Sequence, residues 1–169
     1  RSFQYDISDL VYYFQCAKEK LSLRLSSIVE NVHGLDFVPP VQLYQSILGV
    51  HGQQWIELFA EIEKCSDYEY LILDLTDGVA DLWDILRSCT HVYTITRGDG
   101  VSLAKMDQYE RGLRTMEYED VLAKTRKIEF PVFKEIPIRF DELTYGDLAR
   151  YVKQYIIPDF VGEKEEGNE

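Results

Sequence analysis

The residues best placed to do chemistry lie in the stretch 68–79, Tyr-Glu-Tyr-Leu-Ile-Leu-Asp-Leu-Thr-Asp-Gly-Val. An apolar run of strand length, Tyr70, Leu71, Ile72 and Leu73, ends abruptly in Asp74, and Asp77-Gly78 supplies a turn just beyond it. A buried strand of this kind delivers a carboxylate to its C-terminal tip, where α/β folds place their sites. A carboxylate there can hold a magnesium ion directly or through its water shell, because magnesium commonly takes only one or two protein carboxylates and fills the rest of its shell with phosphate oxygens and water. The local pattern leaves metal contact, a helix cap and a plain turn all open for Asp74.

Other reactive side chains are scattered. Cys16, Cys65 and Cys89 are odd in number and far apart, each in or beside an apolar helical segment. They read as small buried hydrophobes in a reducing compartment. His33, His51 and His91 have no motif-like spacing and supply no metal-ligand set.

The elements that must position these residues follow from periodicity and punctuation. Asp6 or Ser8 can cap a first helix with Leu10, Val11, Phe14 and Ala17 on its apolar face. Leu21, Leu25, Ile28, Val29 and Val32 predict a second helix up to His33-Gly34, and 35–38 is a short strand stopped by Pro39-Pro40. After a loop over 41–52, an amphipathic helix over 53–64 turns Trp55, Ile56, Leu58, Phe59 and Ile62 inward. Beyond Gly78 come a short helix over 80–89, a buried strand over 91–96, a helix that Ser102 can cap, a helical turn from Tyr118, a strand over 127–130, an extended stretch over 132–138, and a closing helix over 143–157.

Helix and strand alternate from Gln53 to Phe130, which predicts parallel βαβ units in a layered, doubly wound α/β domain, its mostly parallel sheet flanked by helices. Residues 1–161 read as a single domain and 162–169 as a disordered acidic tail. The chain opens at Arg1 without a methionine, which suggests a piece of something longer, so the domain is expected to be incomplete at its N-terminus.

At 169 residues, 46% apolar and 13% aromatic, the chain is long and apolar enough to bury a core. Thirty acidic against 18 basic residues give a formal charge of -12. Such a surface repels phosphate backbones and anionic lipid, and no basic patch offsets it, so neither nucleic acid nor membrane is expected as a partner. No apolar run reaches the roughly 20 residues of a membrane span and no signal-peptide pattern opens the chain, which together predict a cytoplasmic protein.

The stretch 68–79 resembles the Walker B and switch II segment of the ParA/MinD group of P-loop ATPases, which typically reads Tyr-Asp-Tyr-Ile-Ile-Ile-Asp-x-Pro-x-Gly. The helix and strand that follow, ending in Arg97-Gly98-Asp99 with a helix start at Ser102-Leu103, are similar to that group too. Upstream, Asp6-Ile7-Ser8-Asp9-Leu10 resembles its Gly-Leu-Ser-Asp-Leu segment, and Leu35-Asp36-Phe37-Val38-Pro39 its strand running into a proline loop. The resemblance covers 5–157 and is closest to the divergent, CpaE-like pilus-assembly branch.

It implies that Asp74 is the Walker B carboxylate that organises magnesium, with Asp77 beside it as a second catalytic position. Asp77 and Gly78 would lie in switch II, which senses the γ-phosphate; Arg97 and Asp99 would lie in the loop that approaches the nucleotide base. ATP and magnesium are thus the implied cofactors of a complete parent protein. Asp77-Gly78 as a simple turn, and Arg97 and Asp99 as solvated loop charges, remain open beside these roles.

Two departures qualify the match. Thr76 stands where the group has proline, and nothing in the chain resembles Lys-Gly-Gly-x-Gly-Lys-[Ser/Thr]; Gly98-Asp99-Gly100 is too short and lacks the lysine. Phosphate capture depends on the backbone N–H groups of that loop and of the helix it opens. The chain alone is therefore expected to hold no cofactor and to bind no ATP tightly, and Asp74 to meet magnesium only in a complete site. The P-loop strand is central in the group, beside the Walker B strand, so the implied sheet lacks its central strand.

Two functions follow. One is the C-terminal part of a switch ATPase whose magnesium-dependent hydrolysis controls partner binding in positioning or assembly. The other is a degenerate ATPase-like module for protein–protein interaction, without catalysis. A flavodoxin-like cofactor binder is open to any α/β layer but has no phosphate-loop signal. A sheet without its central strand exposes edges and apolar surface, so a protein partner or self-association, as a homodimer, is expected.

Overall fold

Asp6 sets the start of the first helix, α1 (Ile7–Cys16), by reciprocal capping: Ser8 N–H donates to Asp6 Oδ1 at 2.8 Å, and Asp6 N–H donates to Asp9 Oδ2 at 2.9 Å. Gln42 N–H donates to Asp6 Oδ2 at 3.2 Å and Ile7 N–H to the Pro39 carbonyl at 2.9 Å, so the proline loop is fastened to the same helix end. Burial pushes the Asp6 carboxyl up, but the Ser8 hydroxyl and the N–H groups of Ser8, Gln42 and Asp9 outweigh it and hold the carboxyl below its ordinary 3.8. A depressed carboxylate contributes stability above its unfolded value and loses it as pH falls through the folded one. Asp6→Ala is therefore expected to cost about 1–2 kcal/mol at neutral pH, and urea titrations at falling pH should show the gap to the native protein closing below about pH 4.

The computed structural model describes residues 3–132 and 143–158. The chain divides into two compact units, Arg1–Glu30 with Asp36–Phe130, and Asn31–Leu35 with Pro131–Glu169. In the larger unit, α1 is followed by a 3₁₀ turn (Lys18–Lys20), α2 (Leu21–Ile28), α3 (Gly52–Cys65), α4 (Leu82–Ser88), β3 (Val92–Thr96), α5 (Gly100–Thr115), α6 (Glu119–Ala123) and β4 (Thr125–Glu129). Between α2 and α3, β1 (Glu30–Val32) and β2 (Leu35–Phe37) pair as a small two-stranded sheet.

The second sheet is β3–β4, parallel, with Val92 opposite Thr125 and Thr96 opposite Glu129. Parallel strands need a crossover, and α5 and α6 supply it. The fold is thus α/β, with seven helices and two two-stranded sheets among the described residues. These residues form no large layered sheet.

Two apolar clusters hold the larger unit together. The first gathers Leu10 and Val11 of α1, Leu21, Leu25 and Ile28 of α2, Trp55, Leu58 and Ile62 of α3, and Ile85 of α4. The second gathers Val92 of β3, Leu113 of α5 and Val121 of α6, with Trp83 and Leu86 of α4 against them. Helix α4 therefore serves both. The smaller unit contains α7 (Gly146–Tyr155), in which Ala149 is buried and the rings of Tyr151 and Tyr155 lie 4.9 Å apart.

Several expectations need correction. The predicted second helix stops at Ile28: Val29 turns extended (φ -62, ψ 127) and β1 follows. His33 and Gly34, at φ 53 and 86, make the left-handed two-residue turn of a hairpin, and this overrides the helical spacing of Val29 and Val32. The predicted strand over 70–73 joins no ladder among the described residues. Asp99, not Ser102, caps α5, and Cys16 is exposed at the end of α1 rather than buried. Most of the extended stretch predicted over 132–138, and the tail 162–169, lie outside the described residues.

Candidate functional site

Residues 71–76 form no helix, turn or ladder among the described residues, and from Ile72 onward their side chains alternate as in an extended chain. Leu73 and Leu75 are half-buried against the first cluster; Ile72 is 78% exposed, and Asp74 and Thr76 are exposed. This is the period of two expected of a strand lying on a core with one face in water. Val79 N–H donates to the Thr76 carbonyl at 3.2 Å, closing a turn that contains Asp77 and Gly78, and the Tyr44 hydroxyl donates to the Gly78 carbonyl. Asp74 and Asp77 are thus presented on an extended arm and the turn behind it, both open to solvent.

Arg97 and Asp99 stand elsewhere, between β3 and α5, both exposed. The Asp99 carboxylate accepts the N–H groups of Val101 and Ser102 at 3.0 and 2.9 Å and the Ser102 hydroxyl at 2.8 Å. The Ser102 N–H, then its hydroxyl, hold the Asp99 carboxyl below its ordinary range, with Arg97 adding a smaller pull. Its oxygens are engaged in capping. Among the described residues, no hydrogen bond or ion pair joins Asp74 or Asp77 to Arg97 or Asp99. No three His, Cys, Asp or Glu side chains among them are grouped so as to hold a metal. Asp74 and Asp77 stand on and just beyond the segment whose Leu73 and Leu75 lie against the first cluster, whereas Arg97 and Asp99 lie between β3 and α5, and no stretch of the sequence resembles the glycine-rich loop that would supply phosphate donors.

An open groove of about 550 Å³ holds residues that the sequence did not single out together: His51, Gln53, Ile56, Asp81, Asp84, Arg87 and Ser88. It forms where the start of α3 meets α4. Gly52 N–H donates to Asp81 Oδ2 at 2.8 Å, and His51 Nδ1 lies 3.8 Å from the same oxygen. Asp81 precedes α4 in the left-handed region (φ 53, ψ 35), an uncommon conformation for a residue with a side chain. On the other side, the Tyr118 hydroxyl donates to Asp84 at 2.7 Å. Arg87 makes a bidentate pair with Asp120, donates to the Glu117 carbonyl, and lies 4.0 Å from the Tyr118 ring centre.

The bond to Asp120 raises the guanidinium of Arg87 and lowers the Asp120 carboxyl, while the bond to Asp84 raises the Tyr118 phenol. Ser88 is no nucleophile for the His51–Asp81 pair: it lies at the far end of α4, about 10 Å along the axis from Asp81, and donates to the Ile85 carbonyl. The one local signal for this meeting is Gly52 directly after His51 at a helix start.

Among the described residues, no helix is long and apolar enough to cross a membrane. Comparison of the chain with protein-family models, with characterised proteins and with solved structures finds no match to any of them.

Proposed function

We propose that this chain works by associating with another protein, as an ATPase-like interaction module, and that its ParA/MinD-type motifs mark descent rather than an ATPase activity of its own. The observation that carries the reading is the arm 71–75: an apolar, extended segment, seated by Leu73 and Leu75 on the core, whose backbone joins no ladder among the described residues. Exposed strand-like backbone next to exposed apolar side chains is a template for another chain.

A second reading keeps the chain as the C-terminal part of a nucleotide switch. It is favoured by the order of elements, in which an extended segment ending in Asp74 leads through a hydrogen-bonded turn and a helix to one strand of a parallel pair. Calorimetry with ATP and magnesium separates the two. The expected result is no binding tighter than millimolar, the same for Asp74→Ala. Micromolar binding that Asp74→Ala abolishes would overturn the interaction reading and establish the switch.

A further inference from the structure

The partner's chemistry can be read from the arm itself, taking the interaction reading as its basis. Among the described residues, the backbone N–H and C=O groups of 71–75 make no hydrogen bond to protein. The face of the arm is already chosen: Leu73 and Leu75 turn inward, leaving Ile72 and Asp74 outward. A strand whose face is anchored in this way has a defined register for a neighbour, since a slip by one residue would exchange the two faces.

Along the chain, the charge flanking the arm has one sign as far as Lys64 on one side and Arg87 on the other. Between residues 65 and 86 stand Asp67, Glu69, Asp74, Asp77, Asp81 and Asp84, all exposed, and no lysine or arginine. An acidic strand approaching here is repelled, and a basic one is drawn in and held in register. We infer that residues 71–75 are the docking edge for an extended, basic–apolar segment of another protein, which adds as a β-strand. Main-chain hydrogen bonds to 71–75 supply the attachment, an apolar side chain sits beside Ile72, and a lysine or arginine sits beside Asp74.

The test uses a fluorescein-labelled peptide, Lys-Val-Ile-Val-Lys-Val-Ile-Val-Lys, which places lysine and isoleucine alternately on one face and valine on the other. Saturable binding by fluorescence anisotropy is expected, with slowed amide exchange confined to the arm. N-methylation of alternate peptide amides leaves the protein and the peptide charge untouched but removes main-chain donors, and should weaken binding at least about tenfold. Replacing the lysines by glutamates should do the same. Asp74→Lys changes an exposed side chain and should weaken binding about fivefold without moving the unfolding midpoint.

Equal binding of the N-methylated peptide would reduce the contact to charge alone and overturn the proposal, as would protection elsewhere on the chain or no saturable binding at about 1 mM peptide. Sedimentation of the chain without peptide covers the other occupant: a dimer that protects the arm and that the peptide disrupts would assign the edge to a second copy and overturn the proposal. Failure of the peptide together with absent ATP binding overturns this inference alone. Micromolar ATP binding overturns the interaction reading whatever the peptide does.

Discussion

Truncation of Ile85 to alanine is expected to cost about 3 kcal/mol of stability, the range of a buried aliphatic side chain whose cavity the surroundings cannot fill. Ile85 is fully buried and is the one buried residue of α4, a helix of only seven residues. A helix that short has little stability of its own and depends on its packing. Ile85 seats it in the first cluster, while Trp83 and Leu86 lie against the second. Urea denaturation should show the full loss, and amide exchange should show α4 and the turn behind Thr76 opening first. Ile72→Ala, a change of similar chemistry at a position 78% exposed, should move stability by no more than about 0.5 kcal/mol. A comparable loss at both positions would contradict the placement of the arm with Leu73 and Leu75 inward and Ile72 outward.

The second large effect is expected at Gly52, where α3 begins. A Cβ there would lie 2.5 Å from Asp81 Cβ and 3.2 Å from its carbonyl oxygen, closer than nonbonded carbons approach. The opposing atoms are stem and backbone of a residue already held left-handed, so they cannot swing aside. Gly52→Ala is expected to destabilise the protein by about 1–3 kcal/mol through overpacking. In an Asp81→Gly background the clashing Cβ is gone and the left-handed backbone is relieved, so the same substitution should lose about half or more of its effect. A thermal or urea double-mutant cycle measures this coupling. Additive effects would mean that His51, Gly52 and Asp81 do not meet and that the groove is not built as described.

The helices were largely legible in the sequence because their signals are local. Asp6 followed by Asp9 marks the start of α1, and Trp55, Leu58 and Ile62 recur at the spacing that buries one face of α3. The alternation from Gln53 onward predicted parallel pairing, and β3–β4 is parallel. A local signal also explains one miss: Asp99, in the turn after β3, satisfies two N–H groups of α5 and starts the helix earlier than a cap at Ser102 would.

The candidate site was less legible. Asp74, Asp77 and Gly78 do fall together on one arm and turn, as their adjacency requires, but Arg97 and Asp99 stand apart from them between β3 and α5. His51 and Asp81 meet across a helix junction that no spacing announces. By itself, then, the sequence determined the helical faces, the acidic surface and an apolar segment ending in a carboxylate. Only the tertiary structure decided that this segment lies on the core with no neighbouring strand among the described residues. Helix hydrogen bonds close within a few residues, whereas a strand's are made by a segment elsewhere; an apolar run therefore specifies extension and a buried face, and the rest of the fold decides whether a partner lies alongside.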